Sequence, residues 1–213
     1  RERFKAERAA EMAAVLALSA VRNNDRVGLL LFSDHVEHVV PPKKGKRHVL
    51  RIIRDVLAFK PKGTGTDIPA ALDYAGRLLG HRAVIFVLSD FAVLYPPDEG
   101  PESETFARFE KSLRLVGKRH DVVAVNIRDE AEQQIPNVGL LVLRDPETGE
   151  RVAVDTSRAD LRARYHGFMT QERNAVRRTF RRNGVDEVEI GTAGSFVKPL
   201  LAFFHRRERA KGR

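Results

Sequence analysis

Two stretches of the chain carry residue types suited to chemistry. The first is AVIFVLSD at positions 83–90, where six apolar residues run into Ser89-Asp90. A short apolar run containing Val and Ile reads as a strand buried on both faces. A carboxylate at its C-terminal end lies where open α/β sheets hold their ligands. The second stretch is the loop Lys62-Gly63-Thr64-Gly65-Thr66-Asp67, expected to bring a hydroxyl to the same edge. A carboxylate that ends a buried strand is often functional, so Asp90 is a candidate for a metal or anion role. On residue type Thr64 serves as well as Thr66. Thr66-Asp67, just before Ile68-Pro69, equally suits helix N-capping.

Other constellations are weaker. Gly63-x-Gly65 lacks the Gly-Lys-Ser/Thr of a phosphate loop. His35 and His38 lie three apart, which at strand spacing points them to opposite sides and not at one ion. Ser33-Asp34 resembles Ser89-Asp90 but reads as turn chemistry. Asp121 opens a strand, at the wrong edge for such a site. Spacing alone brings no Ser/His/Asp set together, and with no cysteine thiolate catalysis, thiolate metal sites and disulfides are excluded.

The elements that must position Asp90 and the glycine loop follow from periodicity. Phe4, Ala9, Met12, Ala13, Leu16 and Ala20 form one apolar stripe, and Asn23-Asn24-Asp25 ends that helix. Residues 27–32 read as a buried strand and 36–40 as its hairpin partner, stopped by Pro41-Pro42. Helices are expected over 46–59 and 68–79, with the core strand 83–89 after them. Residues 91–104, rich in Pro, Gly and Glu, form a long rim loop. A helix over 105–118, a strand over 121–127 and a hairpin from 138–143 and 151–154 follow. The hairpin turns at Asp145-Pro146-Glu147-Thr148-Gly149. A long basic helix over 158–182 ends at Gly184, before a strand over 185–190 and a helix over 195–207. Strands alternating with helices predict an α/β fold, a mostly parallel sheet with helices on both faces.

The 213 residues, 42% apolar, suit one such domain with a real core. No apolar run approaches the length needed to cross a bilayer, no signal-peptide pattern opens the chain, and a cytoplasmic location is expected. The net charge of +9 permits attraction to nucleic acid, anionic lipid or an acidic protein. Its excess is read in residues 173–182 and 205–213, as solvated helix faces and a frayed end. With aromatics at 7% and no recognised motif, nucleic-acid binding is not expected.

Several stretches in order resemble the von Willebrand factor A-like proteins of domain-of-unknown-function family 58. They are DRVGLLLF at 25–32, Pro41-Pro42 through Gly45, Gly65-Thr66-Asp67, Leu88-Ser89-Asp90-Phe91, HDVVAV at 120–125, Val138-Gly139-Leu140 and RDPETG at 144–149. The resemblance implies a Rossmann-like sheet bearing a metal-ion-dependent adhesion site. Thr66 matches the threonine of its second loop and Asp90 the aspartate of its third. The first loop, Asp-x-Ser-x-Ser, would precede Arg1, and the first, central strand with it. The expectation is therefore one domain over 1–213, incomplete at its N-terminus, in a natural protein that is longer. With two ligands available, magnesium is expected to bind weakly or not at all. The resemblance further implies a non-enzymatic interaction module working with a MoxR-type AAA+ ATPase. The alternatives are a magnesium-dependent phosphoryl-transfer or hydrolytic enzyme and a basic nucleic-acid binder.

Overall fold

The computed structural model describes residues 2–94, 103–144 and 151–211. The rim loop expected at 91–104 and the hairpin turn expected at 145–149 fall largely outside them. The elements run α1 (Glu2–Arg22), β1 (Val27–Phe32), β2 (Val36–Lys43), α2 (Lys46–Ala58), α3 (Ile68–Leu78), β3 (Val84–Ser89) and a 3-10 turn (Ala92–Leu94). Then come α4 (Glu104–Gly117), β4 (Asp121–Arg128), α5 (Glu130–Gln133), β5 (Leu140–Arg144), β6 (Arg151–Asp155), α6 (Ala159–Arg182), β7 (Asp186–Gly191) and α7 (Val197–Lys211).

The centre is a three-stranded parallel sheet of order β3-β4-β7. In register Val84 stands beside Asp121 and Ser89 beside Asn126. The strand β4 is buried from Val122 to Ile127, as its near-continuous apolar run requires. Its side chains alternate between two cores. Val122 and Ala124 pack with Leu72, Phe109 and Phe180, from α3, α4 and α6. Val123, Val125 and Ile127 pack with Met12, Leu200 and Phe203, from α1 and α7. Helices therefore cover both faces, as the alternation of elements predicts.

The parallel sheet is smaller than expected, because β1 and β2 stand outside it, whereas the antiparallel strand pair expected at 138–143 and 151–154 forms. The strands β1 and β2 make a separate antiparallel ladder, and β5 and β6 another. Among the described residues β1 pairs only with β2, and β3 only with β4, so each leaves one edge without a strand. The helix α1 packs against β1, β3 and β4 alike and ties the two ladders together. The prolines are a second correction. Pro41 and Pro42 lie inside β2, which runs on to Lys43. The physical reason is that β2 is an edge strand, where a missing N–H costs no ladder bond, and the register shifts between Val27 and Leu29. Gly28 sits at that shift, and a Cβ there would come within 3.0 Å of both the Pro42 ring and the Val40 carbonyl oxygen.

Candidate functional site

The glycine loop is seated by the turn after β1. The Asp67 N–H donates to the Ser33 carbonyl at 2.7 Å. The Glu37 carboxylate accepts the amides of Lys62, at 2.9 Å, and Gly63, at 3.2 Å. Foremost the Ser33 hydroxyl, then these amides, holds the Glu37 carboxyl below its ordinary value. Ser33-Asp34 thus does more than turn the chain: it is the bed on which the loop rests.

Gly63 is required by close approach. A Cβ there would fall 2.9 Å from Asp34 Cγ and nearer still to Ser33 Oγ and Asp34 Oδ1. At Gly65 the nearest atom, Asp34 Cβ, is 3.5 Å away, an ordinary contact. Gly63→Ala is therefore expected to destabilise the protein by about 1–3 kcal/mol, and Gly65→Ala by no more than about 0.5 kcal/mol. Urea unfolding of the two variants checks the contrast.

Asp67 is the N-cap of α3, its side chain accepting from the Ala70 N–H at 2.9 Å. Its second oxygen meets Arg108 Nη2 at 3.2 Å. The capping reading open for Thr66-Asp67 therefore goes to Asp67. Thr66 is exposed, and no hydrogen bond of its hydroxyl is present among the described residues.

Asp90 follows β3. Its Oδ1 accepts the Ala92 N–H at 3.2 Å and its Oδ2 accepts from Lys5 Nζ at 2.8 Å. Phe91 beside it has φ 58, a left-handed conformation rare for a bulky residue. Its ring is nonetheless buried, 5.1 Å from that of Phe180. Ile68, two residues after Thr66, and Phe91, next to Asp90, belong to one hydrophobic cluster. The two candidate residues thus arise from segments fastened to the same core, although no hydrogen bond joins them among the described residues.

Beside Asp90 lies a crevice of about 70 Å³, lined by Lys5, Asn126, Arg128, Glu132 and Glu172 among others. The Lys5 ammonium bridges Asp90 and Glu132. Burial works to lower its pKa, but the two carboxylates outweigh burial and raise it. Asn126 is fully buried and gives its amide to Glu187 at 2.9 Å, while its Oδ1 has no hydrogen-bond partner. Residue-by-residue reading missed Lys5, Asn126, Glu132 and Glu172. One signal was available: Asn126 is the polar interruption of an apolar strand. Lys5 and Glu132 lie on helices whose approach to β3 only tertiary packing sets.

Burial raises the Glu172 carboxyl from an ordinary 4.5 to about 7. The fold favours its neutral form, so its contribution to stability is full below 4.5 and is lost as pH rises through about 7. The expected loss is about 1–2 kcal/mol, less than the full shift implies because the side chain is only half-buried. Glu172→Gln should flatten unfolding free energy between about pH 5 and 8; an unchanged pH profile would contradict this.

His35 and His38 go to different carboxylates, Asp34 at 2.5 Å and Asp55 at 3.3 Å. Asp121 is at the opposite end of β4 from the crevice and pairs with Arg207 at 2.6 Å. Among the described residues no group of three or more His, Asp or Glu gathers as a metal site. As metal donors Thr66 and Asp90 would offer two oxygens, and one carboxylate oxygen of Asp90 is already held by the Lys5 ammonium. They do not fill the octahedral shell magnesium demands.

An α/β sandwich with a polar crevice at the ends of its parallel strands defines the architecture. A family described as "Protein of unknown function DUF58" matches residues 1–175, and the chain belongs to that family. It is 25% identical over 209 residues to the uncharacterized protein Rv1480 of Mycobacterium tuberculosis, covering 96% of this chain and 61% of that protein. The chain thus spans about three-fifths of the length of that relative. It is also 25% identical over 174 residues to the uncharacterized protein MAV169 of Mycobacterium avium, 80% of this chain and 94% of that one. Among solved structures, the conserved hypothetical protein BatB of Bacteroides thetaiotaomicron has a similar fold, with a TM-score of 0.56. At 15% identity, that likeness covers 97% of this chain and 88% of BatB. Among the described residues no helix is long and apolar enough to cross a membrane.

Proposed function

We propose that this chain is a non-enzymatic protein–protein interaction module of von Willebrand factor A-like architecture. In this reading Thr66 and Asp90 are the two donors of a partial metal-ion-dependent adhesion site. The observation that carries it is the Asp90 carboxylate, which ends a core strand and already engages a cation, Lys5. The crevice around it presents carboxylates and guanidinium groups together, suited to recognising a charged partner group. The seated loop 62–67 forms one rim. Magnesium is held weakly, on the order of millimolar at best. The partner proposed is a MoxR-type AAA+ ATPase, on the resemblance described above.

The test is capture of a purified MoxR-type ATPase by this chain and by Asp90→Ala. Capture should weaken roughly tenfold in the variant; capture unchanged by the substitution would remove Asp90 from the interface. Calorimetric titration with magnesium provides a second reading. Lys5→Gln should bind more tightly than the parent, because the ammonium no longer competes for Asp90.

A further inference from the structure

Positions 43–62 hold eight Lys or Arg against one Asp, a local net charge of +7. Three cations of the blocks read as basic from the sequence are paired inside the fold. Arg177 pairs with Glu187 and Glu189, Arg182 with Glu110, and Arg207 with Asp121 and Asp186. A further concentration of charge lies on and just before α2. That helix buries Val49 and Ile52. At about 100° per residue, Arg47, Leu50, Arg51, Arg54 and Leu57 share one outward face. Leu50 is 51% and Leu57 66% exposed, about 10 Å apart along the axis. Lys44, Arg47, His48, Leu50, Arg51 and Arg54 line a shallow trough of about 660 Å³. The nearby acid Asp55 is shared by Arg51, Arg54 and His38. Lys44, Lys46 and Arg47 have no acidic partner among the described residues.

We propose that this face of α2 docks on an anionic lipid surface, with Lys44, Lys46, Arg47, Arg51 and Arg54 on headgroup phosphates and carboxylates and Leu50 and Leu57 in the interfacial layer. The inference does not depend on the function proposed for Asp90. A lipid surface satisfies both kinds of side chain at once: its headgroups take the cations, and the acyl boundary takes the leucines. Against a nucleic-acid backbone the leucines would gain nothing, and the face has no aromatic on which a base could stack. An acidic protein would need its own apolar ridge matched to a pair of leucines set among cations. A bilayer needs no such match.

The experiment is co-sedimentation of the chain with vesicles of phosphatidylcholine alone, and of phosphatidylserine and phosphatidylcholine at about 3:7. The parent should bind the mixed vesicles and not the neutral ones, with binding weakened by salt. Each cation removed near the surface is expected to cost roughly fivefold, so Lys44→Glu with Arg47→Glu should lose at least about tenfold. Leu50→Asn with Leu57→Asn should weaken binding severalfold while leaving its salt dependence intact. All four positions are exposed, and circular dichroism verifies that the variants fold. Failure to bind mixed vesicles at low salt, equal binding to neutral vesicles, or parental binding by both double variants would overturn the proposal. So would binding to poly-glutamate or a random DNA duplex in preference to the mixed vesicles. Loss of vesicle binding in the α2 variants with ATPase capture intact would separate this surface from Asp90.

Discussion

Phe91→Ala should cost the protein about 3–5 kcal/mol, and Phe91→Gly should cost less than Phe91→Ala. The ring is 2% exposed and meets the rings of Phe109 and Phe180 at 6.3 and 5.1 Å. Removing it opens a cavity in the larger core. Ordinarily glycine is the worse replacement, because it adds freedom to the unfolded chain. Here φ is 58, so alanine keeps the left-handed strain and glycine releases about 1–2 kcal/mol of it. The buried ring and the left-handed backbone occur at the same residue, next to Asp90 in the lining of the crevice. Chemical denaturation of the three proteins decides the matter. A glycine variant less stable than the alanine variant would show that position 91 is not strained.

Arg207→Ala is the second large effect, expected at about 2–4 kcal/mol. Arg207 Nη2 lies 2.6 Å from both oxygens of Asp121, and its Nε is 3.0 Å from Asp186 Oδ2. The side chains of Arg207 and Asp121 are 21% and 22% exposed, so water screens the pair poorly. The guanidinium also stands 5.4 Å from the centre of the Phe203 ring. One residue of α7 thus clamps the N-terminal ends of β4 and β7. Lysine cannot span both carboxylates from a point charge, so Arg207→Lys should recover little. Combining Arg207→Ala with Asp121→Asn should cost less than the two separate losses added together, since neither charge is left unpaired. Thermal unfolding of the set measures this, and strict additivity would show that the pair is not coupled.

The elements were legible because each announces its own period. The apolar runs at 83–88 and 122–125, and the stripe through Met12 and Leu16, needed no tertiary knowledge. Asp67 shows how far local reading goes. Its place before Ile68-Pro69 reveals a cap, but its pairing with Arg108, 41 residues away, is invisible to any window. Pro41-Pro42 shows where it fails. A rule true of central strands was applied to an edge strand, and the sequence does not say which strand is at an edge.

The pairing of charges is hidden from the sequence for a related reason. Arg177, Arg182 and Arg207 look free in a list of charges, because their carboxylate partners come from β4, β7 and α4. Counting charges tells how many there are; only folding tells which remain unpaired.

By itself the sequence determined that this is an α/β chain, with its polar residues Ser89-Asp90 at the end of a core strand and a glycine loop before α3. Periodicity and backbone chemistry are local, so they survive in one dimension. Only the tertiary structure decided that Lys5 closes on Asp90, that Gly63 rests against Ser33-Asp34, and that Arg207 meets Asp121 and Asp186. Each of these is a meeting of side chains distant along the chain. Its free energy depends on burial and distance, quantities that exist once the helices have packed on the sheet.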